Sequence, residues 1–231
     1  MQNKRYSYED LLEIMKKLRG PGGCPWDREQ DHESLKKYFI EETYEVLEAI
    51  DLKSPENLCE ELGDVLLQVI FHARIAEENG QFSMDDVVNT VSKKMVHRHQ
   101  HVFGVARAET ADDVINLWED IKKQEKGVKS QTDVLKDVPP ILPALMRSYK
   151  VQEKAAKVGF DWDQVEDAWE KMAEETEELR EACSTGDKEK MEDEMGDLLF
   201  AVVNVARFLK IQPELALTGT INKFIRRFEY I

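Results

Sequence analysis

A chain of 231 residues, 42% of them hydrophobic, can build one large domain or two small ones with real cores. Its formal net charge of −15 argues against a nucleic-acid or anionic-membrane surface, since both partners demand a basic footprint. Cys24, Cys59 and Cys183 lack the spacing of a disulfide framework or zinc site, MQNKRYSYED holds no signal-peptide core, and no apolar run approaches membrane-spanning length, so a soluble cytoplasmic protein is expected.

In chain order almost every segment predicts helix. Residues 8–19 (YEDLLEIMKKLR) form an amphipathic stretch stopped by Gly20-Pro21-Gly22-Gly23, and a loop through CPWDREQD follows. From Leu35 a second helix runs to about Ile50. Ser54 is a good N-cap and Pro55 a good first residue for a third, which Asn79-Gly80 ends. Ser83 caps a helix through VVNTVSKKMVHRH, and 111–126 is another. The pattern then breaks, which places a linker at 128–143 between domains 1–127 and 144–231. The second domain repeats the plan with helices over 144–157, 164–183, 187–210 and 214–230 around a loop at VGFDWD. Nothing alternates with period two, so the fold class is all-α.

One pattern occurs twice. Glu42 and Glu45 in EETYE, with Glu61 and Asp64 in EELGD, reappear as Glu175, Glu178, Glu194 and Asp197, each 133 residues later. At 100° per residue Leu35, Phe39, Val46 and Ile50 form an apolar stripe that contains Glu42 and has Glu45 at its edge. Apolar residues surround the next helix, with Asp64 in line with Leu67 and Phe71, so Asp64 and its counterpart Asp197 are expected to be largely enclosed. Acids taken out of water are paired, protonated or metal-bound, and several converging without a nearby Lys or Arg point to a cation. A hard, oxygen-loving ion such as Mg2+ suits four carboxylates.

Each feature also has a blander reading. A Glu-rich face is usually solvated surface, but in-register duplication beside an apolar stripe counts against that. RGPGGCPWD and GVKS (127–130) lack the phosphate-loop motif, and the E-x-x-H of a di-iron bundle occurs only once, at Glu29 and His32. His97, His99 and His101 are two apart and diverge on a helix. Trp26 and Trp162 open the two repeats as packing residues more readily than as base platforms. A non-enzymatic alternative is a helical regulatory or scaffold module whose acidic clusters bind cations.

The order CPWDREQ, EETYEVLEAID, EELGDVLLQVIFHARIA, HRHQHVFG, VINLWEDIKKQEK, ILPALMRSYKVQEKAAKVGFDW and EDEMGDLLFAVVNVAR resembles the MazG family along nearly the whole chain. The resemblance implies two tandem helical repeats, each completing a four-helix-bundle core on homodimerisation. It also implies Mg2+-dependent conversion of NTPs or dNTPs to the monophosphate and pyrophosphate, in a house-cleaning or nucleotide-regulating role. Carried over, it assigns metal coordination to the eight acids above. Glu41 or Glu61, and Glu174 or Glu194, become candidates to orient the attacking water. Lys94 and Arg98, then Lys223 and Arg227, match the family's triphosphate contacts; Lys190 matches a further phosphate-facing lysine, and Trp118 and Lys122 a closing pair. The sequence stops at Ile231, where the family continues into a helix bearing a second such pair, so the second site is expected to lack part of its clamp.

Overall fold

The computed structural model describes residues 4–126 and 131–229, and contacts divide the chain into two compact units, Met1–Glu119 and Asp120–Ile231. All regular structure among the described residues is helical. No helix among them is long and apolar enough to cross a membrane.

In the first unit α1 (Tyr8–Arg19) begins with a reciprocal cap in which Ser7 and Asp10 satisfy each other's backbone N–H groups, and basic residues fill its last turn. The expected loop at CPWDREQD instead contains a short helix, α2 (Pro25–Glu29). Pro25 occupies a first-turn position that needs no N–H donor. The central feature is the hairpin of α3 (Lys36–Asp51) and α4 (Pro55–Glu78), with Ser54 capping α4 as expected. Lys53 turns the chain with φ 53°, and 133 residues later Gly186 makes the matching turn with φ 72°, a conformation that costs glycine less. α5 (Met84–Arg98) and α6 (Gln100–Phe103) follow, then α7 (Ala111–Lys126), which crosses the division between the units.

Met15, Leu35, Ile70, Phe71 and Ile75 form the buried core of this unit, with Leu11, Leu12, Tyr38, Leu67 and Met84 packed around it. Arg19 locks α1 to the far end of α4. Its guanidinium lies 5.3 Å from the Phe71 ring centre, donates to Glu78 at 2.8 and 3.1 Å, and reaches the carbonyls of Asp27 and Gln30. Arg74 binds Glu78 from the other side at 2.9 Å.

The second unit repeats the hairpin as α10 (Val165–Thr185) and α11 (Lys188–Phe208), flanked by α9 (Ala144–Lys157) and α12 (Pro213–Phe228). Ala49 and Ala182 occupy matching positions and both are buried; with no side chain beyond Cβ they let the paired helices approach closely. The stretch expected as linker contains α8 (Gln131–Lys136), which packs on α9, and Lys154 ties this segment down through Val134 O and Asp137. Residues 128–130 of that stretch lie outside the described residues.

Two burial expectations need correction. Asp64 is half-buried rather than enclosed, and Asp197 is exposed. α4 is apolar all round, yet its buried residues, Gln68 to Ala76, lie in its C-terminal half. Leu62 and Leu66, beside the acids, remain exposed because the described unit places no helix over them.

Burial raises the Glu78 carboxyl pKa, but hydrogen bonds and charge from Arg19 and Arg74 outweigh it, and the net shift is downward. A depressed carboxylate contributes stability that is present above its unfolded pKa and lost as pH falls through the folded one. Glu78→Gln is therefore expected to cost about 1–2 kcal/mol at neutral pH. In urea unfolding at stepped pH, the gap from wild type should close below about pH 4.

Candidate metal centre

α3 and α4 face each other so that one carboxylate oxygen from each of Glu42, Glu45 and Glu61 lies within 4.8 Å of the others. Their spacing produces this directly, since Glu42 and Glu45 are one turn apart on α3 and Glu61 comes from the antiparallel partner. Asp64, a turn beyond Glu61, adds its field. Burial raises the Glu42 pKa most, followed by the charges of Asp64 and Glu45. Glu61 is also raised, by burial and then by Glu45, Glu60 and Asp64. Glu42 and Glu61 resist ionisation beside the other acids, which is the electrostatic condition a divalent cation relieves. Glu41 is exposed at the margin.

The second unit gathers a different three of its four acids: Glu175 from α10 with Glu194 and Asp197 from α11, again within 4.8 Å. Glu175 is only 5% exposed, and its Oε2 has no hydrogen-bond partner. Glu178 stands beside it, its pKa raised by burial and by the charge and hydrogen bonding of Glu175.

One cation was missed by sequence reasoning, which expected acids without a nearby Lys or Arg. Lys171 Nζ reaches Glu174 at 2.8 Å and Glu175 at 2.7 Å. Hydrogen bonds to both acids raise its pKa above the ordinary lysine range. The signal was available as the K-x-x-E-E spacing, which sets Lys171 one turn before both acids. The first repeat has Tyr38 at the matching position, so the two centres differ in built-in charge.

The other candidates are dispersed. Lys94 is exposed on α5; Arg98, further along it, is half-buried, with its guanidinium 5.3 Å from the Trp118 ring centre. This joins two residues that sequence reasoning assigned separately, and the Trp118 Nε1 has no partner. Lys122 follows Trp118 by one turn on α7. Lys190 is exposed in the first turn of α11, and Lys223 and Arg227 are exposed on α12. The histidines depart from their expected divergence: α5 ends at Arg98, and the break at His99 brings the His99 and His101 rings to 5.7 Å.

A family model described as the MazG nucleotide pyrophosphohydrolase domain matches residues 30–103 and 164–231. The chain is 50% identical over 222 residues to the nucleoside triphosphate pyrophosphohydrolase/pyrophosphatase MazG of Thermotoga maritima, covering 96% of this chain and 84% of that protein. It is 45% identical over 224 residues to the nucleoside triphosphate pyrophosphohydrolase of Escherichia coli K12, covering 96% and 85%. It is also 53% identical over 227 residues to the uncharacterized protein YabN of Bacillus subtilis, of which it spans 46%.

Removing Lys171 leaves the buried Glu175 charge without its partner, so Lys171→Met is expected to destabilise the chain by about 2 kcal/mol. The partial exposure of Lys171 keeps this below the full cost of a buried pair. Adding Glu175→Gln should recover most of the loss in urea unfolding without metal; additive losses would show that the pair is not coupled.

Proposed function

The chain belongs to the MazG nucleotide pyrophosphohydrolase family, and from that membership we propose that its carboxylate centres act on nucleoside and deoxynucleoside triphosphates through Mg2+, with water directed at the α-phosphorus. It is a nucleoside triphosphate pyrophosphohydrolase, releasing the monophosphate and pyrophosphate. The single observation that carries the finer reading is the convergence of three carboxylate oxygens within 4.8 Å in each unit.

The donor set fits Mg2+. It is all oxygen, it is negative, and it leaves a buried carboxylate oxygen of Glu175 without a partner. When bound, Mg2+ would neutralise triphosphate charge and make a coordinated water more acidic. Glu42, Glu45, Glu61 and Asp64 would hold it in the first unit, and Glu175, Glu178, Glu194 and Asp197 in the second. Glu41 or Glu61, and Glu174 or Glu194, would accept a hydrogen bond from the attacking water and fix its line of approach. Lys94 and Arg98, and in the second unit Lys190, Lys223 and Arg227, would attract the phosphate oxygens. Trp118 beneath Arg98, with Lys122 a turn later, would serve as the closing pair assigned by resemblance. Lys171 would hold the Glu175 carboxylate through its ion pair before the metal arrives and then be available to the substrate.

A homodimer belongs to the same reading. Leu62 and Met195 stand at matching positions, as do Leu66 and Leu199, and all four are exposed beside the acids, Leu62 by 52% and Leu199 by 49%. A second copy laid over these rows would give each hairpin the other half of a four-helix core and exclude water from the carboxylates.

Incubation with Mg2+ and an NTP panel is expected to give monophosphate and pyrophosphate in equal amounts by anion exchange, and nothing with EDTA. Glu42→Gln combined with Glu175→Gln should lower turnover by about 100-fold or more. Unchanged turnover would sink the carboxylate assignment, and absence of pyrophosphate would favour a scaffold module with cation-binding acids. In sedimentation, Leu66→Glu with Leu199→Glu should shift the mass from two chains to one.

A further inference from the structure

His32 and His72 lie outside both acid centres, and the chemistry proposed above does not use them. His72 belongs to the buried half of α4, between the core residues Phe71 and Ala73. His32 is exposed in the turn that enters α3, three residues before the buried Leu35. The turn is built on Asp31, whose carboxylate accepts the N–H groups of Glu33 and Ser34 at 2.9 and 2.8 Å.

The two Nδ1 atoms are 2.8 Å apart, the ring centres 5.1 Å apart, and the ring planes within 8° of parallel. The distance between centres exceeds that between nitrogens by the two ring radii. Both nitrogens therefore lie on the line joining the centres, and the imidazoles meet edge to edge in one plane, with their lone-pair directions aimed at each other. A metal ion held by both rings needs those directions to converge on a third point, or the nitrogens to stand about 4 Å apart around a linear ion. The geometry fits a hydrogen bond instead, with a single proton between two nitrogens.

Charge decides how such a bond answers pH. With both rings neutral, one Nδ1 donates and the other accepts. A first added proton goes to the outer nitrogen of the donor ring and leaves the bond in place as a charge-assisted one. A second must go to the accepting Nδ1, where two N–H groups would face each other across 2.8 Å. Burial first, and then the charge of His32, hold His72 below the usual histidine range. Asp31, held below the usual carboxylate range chiefly by its hydrogen bond from the Ser34 N–H, supplies a negative charge beside His32. From α3, Phe39 meets His72 with its ring centre 6.0 Å away and brings no charge. Glu33 is paired with Lys36, and Arg74 with Glu77 and Glu78.

We propose that His32 and His72 form a one-proton latch that fastens the entry of α3 to α4 at neutral pH and releases it in mild acid. α3 carries Glu42 and Glu45, and Phe39 sits one turn before Glu42, so release loosens the hairpin of the first unit from the start of α3. A histidine with a depressed pKa contributes stability that is present above about pH 6.5 and lost as pH falls through its folded value. The latch belongs to the first repeat: 133 residues later the two positions hold Val165 and Val205, which do not titrate. It stands independently of the nucleotide chemistry.

Hydrogen exchange of the full-length protein, corrected for the intrinsic pH dependence of amide exchange, tests the latch. Protection of residues 31–39 is expected to fall about tenfold between pH 7 and about pH 5, while the matching segment, 164–172, keeps its own. His32→Ala, at an exposed position, should show the low protection already at pH 7 and no further step. His32→Gln, which still offers a donor and an acceptor but does not titrate, should stay protected at both pH values. Equal pH steps in the two segments would mean general softening in acid and overturn the latch, as would wild-type protection in His32→Ala. In spectra of protein labelled with 15N-histidine, a scalar coupling between the two Nδ1 atoms is expected at pH 7 and should vanish in acid; its absence at pH 7 would overturn the shared proton.

Discussion

The mutual repulsion of carboxylates held across a helical hairpin is the constraint on which the rest of the structure depends. Glu42 and Glu61 are raised in pKa by burial and by each other's neighbours, so the apo centre is electrostatically unfavourable. The hairpin closes nonetheless because the force that brings α3 to α4 is generated elsewhere. Ala49 permits close approach, Leu35, Ile70, Phe71 and Ile75 bury apolar surface, and Arg19 clamps the distal end through Glu78. Folding and chemistry are thus divided along a single helix.

The two repeats relieve the repulsion differently. In the second, Lys171 neutralises part of the cluster from within, and Glu175 can sink to near-complete burial because that partner is present. In the first, Tyr38 stands in place of the lysine, packs against the core and has its ring 5.9 Å from that of Trp26; Glu42, the counterpart of Glu175, is there only half-buried. One substitution at a matched position therefore goes with a change in the depth of the acids. The hairpin turns follow the same pattern of conserved shape with changed residues: Lys53 tolerates a left-handed conformation that Gly186 adopts with less strain.

Much of this was legible in the sequence, for definite reasons. Ser54 and Pro55 announced the start of α4, the fixed 133-residue register announced the duplicated hairpin, and one-turn spacing announced which acids share a face. The errors also have physical causes. Asp64 and Asp197 were expected inside because their helices are apolar on all sides, but a helical wheel does not state which side a neighbour covers. The short α2 and α8 escaped notice because a single turn carries no periodicity. Lys171 lies outside the acid-to-acid pattern, and its signal is the one-turn K-x-x-E-E spacing alone. The His32–His72 hydrogen bond could not be read at all, since its partners are 40 residues apart and no helical period joins them.

The same division of labour explains why the apolar residues nearest the acids are exposed. In α11 the buried Ala201, Val203 and Val205 lie beyond Asp197, while Met195 and Leu199, which flank it, are open. Exposed leucine next to ionised carboxylate is poor design for an isolated chain, because water solvates the acids and lowers the effective field that would draw in a cation. In the proposed homodimer, covering those rows with a second copy would turn both features to advantage at once: apolar area would leave water, and the acids would enter a lower dielectric in which a divalent ion and a triphosphate would be held more strongly. Association and metal affinity would then be linked through one face of α4 and one face of α11, and a change at Leu66 or Leu199 would act on both without touching a candidate ligand atom.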